Sequence, residues 1–447
     1  MSEAAGQTRA LGFWACTALV VGNTIGIGIF VLPASLASFG LNALSAWGVT
    51  LVGCLFLAIV FAGLARAFPR DEGVYAYVQR AFGPHSAFLI LWCYLVSCWI
   101  TNAVLAIGVV AYLSALFPVL ASNHALALVT SVSLVWLFVL INLRGVRAAG
   151  SVQLLMTVAK LLPLFGIIVL GLWQLAVHPG IYVANLPPTP ASWHDLIAAS
   201  TIALYAMLGI ESATIPAGKV KDPARTIPRS TIAGTLLTAL VYLGICAIPV
   251  LLIPQHELAS SDAPFALLFQ RLIGSQSGQL IALCVVVSGL GCLNGWTLVC
   301  GDLTRNMAAR GSLPAALAST DARAVPIHAL LLTGVLPSLM LVINYNDSMA
   351  GVFTFLSVMV TAANMPLYLA CAIAVWILWR RGERAASEAR EFFWLAAALL
   401  TVAYSIWIFL GMGAKPLLWA IVLAVAGIPV HLGSQHWRRR RVLAESS

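Results

Sequence analysis

The apolar positions of the chain gather into twelve long runs, at about 11–38, 43–67, 86–117, 124–142, 150–175, 193–217, 227–253, 276–306, 325–343, 350–378, 391–411 and 415–434. A helix that crosses a bilayer needs about 20 mostly apolar residues. Longer runs tilt or extend past the hydrocarbon. The pattern predicts an all-α membrane protein of twelve transmembrane helices in one domain, 1–447, with short connections. The first run follows a segment without a cationic stretch and is too long for a signal-peptide core, so no cleaved leader is expected.

Two runs are interrupted. The first holds Gly22, Asn23, Thr24, Gly26, Ile27 and Gly28, followed by Pro33. The sixth holds Tyr205, Leu208, Gly209 and Glu211, followed by Pro216. Each glycine lowers helix propensity by about 1 kcal/mol, so the cluster in the first run favours unwinding. Unwound backbone cannot face lipid, because each unpaired N–H or C=O there costs several kcal/mol. It must line a cavity enclosed by protein. Half-helix ends there offer N–H groups to a carboxylate and C=O groups to an ammonium, which together suit an amino acid zwitterion. Runs 1 and 6 head two sets of five, and breaks at matching positions are the sign of an inverted-repeat transporter. Close packing between helices would use the same glycines. A dinucleotide loop is excluded, since the third glycine of GxGxxG is missing and no βαβ unit frames it.

Composition agrees with the lipid reading. Hydrophobic residues make up 61% of the chain and charged ones 9%, against roughly 25% charged in a soluble domain. The net charge of +9 could suit nucleic acid, but its distribution points to a membrane. With the N-terminus inside, every basic residue except Arg271, Lys415 and Lys160 falls on inside segments. That is the positive-inside rule. It predicts a multi-pass protein of the plasma (inner) membrane with both termini cytoplasmic and no nucleic-acid partner. WRRRR at 437–441 suits anionic lipid headgroups.

Other chemistry is excluded in turn. The nine cysteines lie inside the runs, none in CxxC, and read as small packing residues. The eight histidines sit at run ends or loops without metal spacing, so no metal and no other cofactor is expected. No Walker loop is present, so this chain does not drive transport with ATP. An enzyme would need a positioned acid–base or nucleophile–base set, and a channel would need rings of pore charge. A sensor that binds an amino acid without moving it stays open.

Five segments carry a family resemblance: GNTIGIGIFVLPASLASFG at 22–40, YAYVQRAFGP at 75–84, SCWITN at 97–102, GIESATIPAGKVKDPARTIPRS at 209–230 and GWTLVCGDLTRNMAARGSLP at 295–314. In order and spacing they resemble the amino acid–polyamine–cation superfamily. The nearest likeness is to bacterial arginine/agmatine antiporters of the basic amino acid/polyamine antiporter family. The resemblance implies a LeuT-type five-plus-five inverted repeat with helices 1 and 6 broken. Its repeats would span 11–175 and 193–378, followed by two additional helices at 391–434. It also implies alternating access, an amino acid or amine substrate, and a homodimer through the last two helices.

It implies residue roles as well. The substrate carboxylate would meet the first break at Ile27 and Gly28, and the α-ammonium the carbonyls of Thr24, Tyr205 and Leu208. A guanidinium would lie on Trp296 and contact Ser97, Cys98 and Asn102, with Leu105 as the apolar contact. Tyr205 would be the aromatic gate, and Glu211 a gating group. Asn23, Gly26 and Gly209 belong to the same two breaks. From the residues alone, a tryptophan such as Trp296 is more often a packing residue, and Glu211 serves equally as a fixed hydrogen bond between helices.

Two departures widen the substrate question. Ile27 stands where those antiporters have a serine. Lys160, in TVAKLLP at 157–163, matches the fifth helix of proton-coupled permeases and exchangers of the same superfamily instead. Intramembrane cations are functional candidates by default, and Lys160 suits a charged strut under the first break or a proton switch, with snorkelling to the membrane surface as the third reading. Trp296 and Asn102 favour a cationic amino acid or amine. Ile27 and Lys160 favour neutral amino acids, with protons as a second partner.

Overall fold

The computed structural model describes residues 12–68, 73–144, 164–178, 180, 192–211, 220–321, 325–344, 348–383 and 388–434. Its main elements are α1 (Phe13–Thr24), α2 (Gly28–Ala37), α3 (Leu41–Ala67), α4 (Gly73–Phe82), α5 (Pro84–Leu113), α6 (His124–Leu143), α7 (Leu164–Val177) and α8 (Trp193–Ala206). There follow α9 (Pro223–Leu252), α10 (Pro264–Leu272), α11 (Ser275–Ala309), α12 (Ile327–Ile343), α13 (Met349–Arg380), α14 (Glu388–Gly411) and α15 (Ala414–Ser434). Eight of these are long and apolar enough to cross a membrane, and α2, α7 and α12 are shorter apolar helices. No β-strand occurs among the described residues.

Local chemistry sets several of the helix starts. Asn123, Ser192 and Ser348 cap α6, α8 and α13 by accepting from the backbone N–H three residues on, which satisfies one orphan donor at each end. Proline opens α5, α9 and α10, where its missing N–H costs nothing. The amphipathic α4 and α10 fall in stretches that the run pattern leaves as connections.

A helix apolar on all sides belongs at the centre of a bundle. The apolar window of α5 lies wholly inside the protein, and that of α13 nearly so. The two pack against each other, α5 also packs on α11, and α3 packs on α9. The outer helices behave differently: Leu240, Leu410, Leu418 and Phe165 are each more than 60% exposed. A soluble protein does not tolerate so much apolar surface, whereas lipid does.

Both interruptions are visible. Helix α1 ends at Thr24, residues 25–27 are not helical, and α2 restarts at Gly28. Helix α8 ends at Ala206 and turns through Gly209, which has φ 104°. Only glycine takes that backbone region without strain. From 212 to 219 the chain lies outside the described residues.

Candidate functional site

The two breaks meet. A Cβ on Gly28 would stand 3.0 Å from the Tyr205 ring, so the start of α2 rests on the last turn of α8. Between them lies a cavity of about 30 Å³, lined on the break side by Thr24, Gly26, Gly28, Tyr205, Ala206 and Leu208. Ser97, Thr101 and Leu105 of α5, Tyr242 of α9, Trp296 of α11 and Asn364 of α13 complete the wall. The volume admits about one water.

Hydrogen bonds hold the first break open. The Tyr242 hydroxyl donates to the Thr24 carbonyl at 3.0 Å, and the Cys292 thiol to the Ile25 carbonyl at 3.6 Å. Tyr112 donates to the Phe30 carbonyl at 2.6 Å. The Thr24 hydroxyl turns back to Val20, so the backbone oxygen, not the side chain, is the polar atom that Tyr242 positions. A carbonyl has two lone pairs, so one on Thr24 stays open to a further donor.

Of the residues singled out from the sequence, Thr24, Gly26, Gly28, Ser97, Leu105, Tyr205, Leu208 and Trp296 line this cavity. Ile27, Cys98, Asn102 and Gly209 do not. Ile27 points the other way, into a slot between Gly108 of α5 and Gly289 of α11: a Cβ on Gly289 would collide with it at 2.5 Å, and one on Gly108 would press on it at 3.1 Å. Asn102 ties α5 to α11. Its amide donates to the Cys98 carbonyl at 2.9 Å and its oxygen accepts from the Thr297 hydroxyl at 3.0 Å. The Asn23 side chain and Lys160 lie outside the described residues.

Helical geometry explains the split. Ser97, Thr101 and Leu105 are four residues apart and share one face of α5. Cys98 and Asn102 sit one position on, about 100° around the helix, and face α11. That spacing could have revealed Thr101. Asn364, a polar residue inside an apolar run, was another available signal. Nothing in the sequence distinguishes Tyr242 from other aromatic residues.

The glycines of the first break differ among themselves. A Cβ on Gly22 would meet nothing within 4 Å, and on Gly26 only ordinary contacts at 3.8 and 3.9 Å. Close packing applies to Gly28 and not to these two.

Polar character in the wall is mostly that of acceptors. Ser97 donates its proton to the Tyr94 carbonyl at 2.7 Å, and Thr101 to the Ser97 carbonyl at 2.8 Å, which leaves their oxygens available to accept. Asn364 is 2% exposed, and its side-chain oxygen has no hydrogen-bond partner among the described residues. Among the described residues, no Asp, Glu, Lys or Arg lines the cavity. Glu211 stands outside it, fully buried. One carboxylate oxygen accepts from Tyr94 of α5 at 3.0 Å and the other from Tyr368 of α13 at 2.7 Å. The pair fastens the second break to the two central helices.

No group of three His, Cys, Asp or Glu is placed to hold an ion among the described residues. All nine cysteines are free thiols.

Comparison with known proteins adds the following. The family model for amino acid permeases matches residues 11–428. A cadaverine/lysine antiporter of Escherichia coli is 31% identical over 350 residues, 77% of each chain. An arginine/ornithine antiporter of Pseudomonas aeruginosa is 31% identical over 454 residues, 98% of this chain and 92% of its own. A putrescine transporter of Haemophilus influenzae is 28% identical over 94% of this chain and 96% of its own.

Proposed function

Because this chain belongs to the amino acid permease family, we propose that it is a secondary transporter that exchanges a basic amino acid for another or for the corresponding amine. Membership in a transporter family removes the intramembrane enzyme reading. The observation that carries the proposal is the wall formed by Ser97, Thr101, Asn364 and Trp296. Hydroxyl oxygens with their protons already committed, an amide oxygen without a partner and an indole all suit an ammonium or guanidinium. The relatives' names point the same way: lysine, cadaverine, arginine, ornithine and putrescine all carry a cationic amino or guanidino group at the end of a short chain.

In this reading the carboxylate of an amino acid meets backbone N–H groups at the start of α2, and its α-ammonium meets the open lone pair of the Thr24 carbonyl. A cavity of about 30 Å³ is too small for such a molecule, so the breaks must part to admit it and close behind it. That is alternating access within a twelve-helix, five-plus-five repeat in the plasma (inner) membrane, with both termini cytoplasmic. Glu211 serves as a latch between the second break and the central helices. Lys160 is a strut or proton switch beneath the first break. A homodimer through α14 and α15 belongs to the same picture.

One observation favours neutral amino acids instead: among the described residues no carboxylate lines the cavity. Counterflow in sealed proteoliposomes separates the readings. Labelled arginine, lysine or ornithine should enter only when the lumen is preloaded with an unlabelled basic amino acid or diamine. Uptake of label driven only by preloaded neutral amino acids would favour the second reading. Binding without any counterflow would leave a sensor.

A further inference from the structure

A second cavity, of about 680 Å³, opens at the arginine-rich end of the bundle, far along α3 and α9 from the substrate site. Two antiparallel stripes form its sides. On α3, Ile59, Ala62, Gly63 and Arg66 recur at i, i+3, i+4 and i+7. On α9, Arg225, Pro228, Arg229 and Ile232 recur at the same spacing. Such spacing keeps each set on one helix face. At 1.5 Å per residue, each isoleucine lies about 10 Å deeper than the arginine seven positions away. The third side is α14, with Phe393 60% exposed and Trp394 laid over Gly63.

Among the described residues the charges of these arginines are largely uncompensated. Arg66 and Arg229 make no ion pair or hydrogen bond with a described residue. Arg225 has, among the described residues, Asp222 as its ion-pair partner, 3.8 Å away and itself exposed. The Trp394 indole N–H is buried without a partner. Three guanidinium groups above an apolar trough match one kind of molecule, with an anionic phosphate at one end and hydrocarbon at the other. Each guanidinium brings a permanent positive charge and N–H donors to a phosphate, and it is chiefly the charge that favours an anionic headgroup. A free phosphate would satisfy the arginines and leave the trough without an occupant.

We propose that this cavity is a binding site for an anionic phospholipid, with the phosphodiester on Arg66, Arg225 and Arg229 and an acyl chain along Ile59, Ile232 and Phe393. The lipid would fill the crevice between α3, α9 and α14. It is independent of which substrate the central cavity takes.

The test uses the full chain in detergent, titrated by native mass spectrometry with phosphatidylglycerol or phosphatidylcholine of the same acyl chains. A basic residue beside an anionic lipid surface weighs about fivefold in affinity. The triple variant Arg66→Gln, Arg225→Gln, Arg229→Gln should therefore lose about 100-fold of the wild-type preference for phosphatidylglycerol. The variant with lysine at all three positions, which keeps the charges, should retain most of it. An unchanged preference in the glutamine variant overturns the proposal. So does equal loss in the lysine and glutamine variants, which would mean a structural role. Inorganic phosphate is the third arm. Displacement of phosphatidylglycerol by phosphate at equal concentration would assign the site to a soluble anion and overturn the lipid assignment.

Discussion

The Tyr242 hydroxyl stands 3.0 Å from the carbonyl oxygen of Thr24, the last residue of α1, and donates to it. A residue near the middle of α9 thereby holds the point at which α1 stops being a helix. The Tyr242 ring is itself fixed, stacked on Trp47 of α3 with ring centroids 5.4 Å apart.

Tyr242→Phe should loosen this arrangement. Removing one partner of a buried hydrogen bond costs about 1–3 kcal/mol. Substrate affinity should fall about five- to tenfold in calorimetry, and the unfolding midpoint should fall with it. If neither moves, the bond does not set the geometry of the break.

Trp296→Ala should discriminate between substrates. Cation–π contact is worth about 0.5–2 kcal/mol, so arginine or lysine binding should weaken by up to about 30-fold beyond any loss for a neutral amino acid. Equal losses for both classes, read by competition against a labelled ligand, would return Trp296 to packing.

Gly26→Ala and Gly28→Ala should part company. An added Cβ at Gly26 meets only ordinary contacts, so exchange should stay near the wild-type rate. At Gly28 the same methyl presses on the Tyr205 ring at 3.0 Å, and exchange should drop at least tenfold while the protein remains folded and inserted. Identical behaviour of the two variants in counterflow would argue against the packing of α2 on α8.

Asn364→Leu gives the cleanest separation of binding from stability. The amide oxygen is buried without a partner, so an apolar side chain of similar volume removes an unsatisfied acceptor and should leave the unfolding midpoint unchanged or raised. Affinity for a cationic substrate should nevertheless fall about tenfold. Lost stability with unchanged affinity would identify Asn364 as a structural residue.

The class of protein was legible from the chain because bilayer thickness imposes its own arithmetic. A run of about 20 apolar residues has few other uses, and glycine beside a polar residue inside such a run has to be enclosed by protein. Both breaks could therefore be located from sequence, as could the part of the wall contributed by the breaks themselves. Across the cavity the sequence was less informative. SCWITN names Ser97, Cys98 and Asn102 together, and only the rotation of α5 against α11 turns Ser97 toward the cavity and Asn102 toward Thr297. Ile27 sits in the break, yet the gap left by Gly108 and Gly289 draws its side chain away from the cavity. Tyr242 and Asn364 come from helices far along the chain, and no local pattern links them to Thr24. Hydropathy acts along the chain, residue by residue, so the sequence alone determines which segments enter the membrane and where they break. Which faces meet depends on how side chains from distant helices fill shared space, and only the packed tertiary structure decides that.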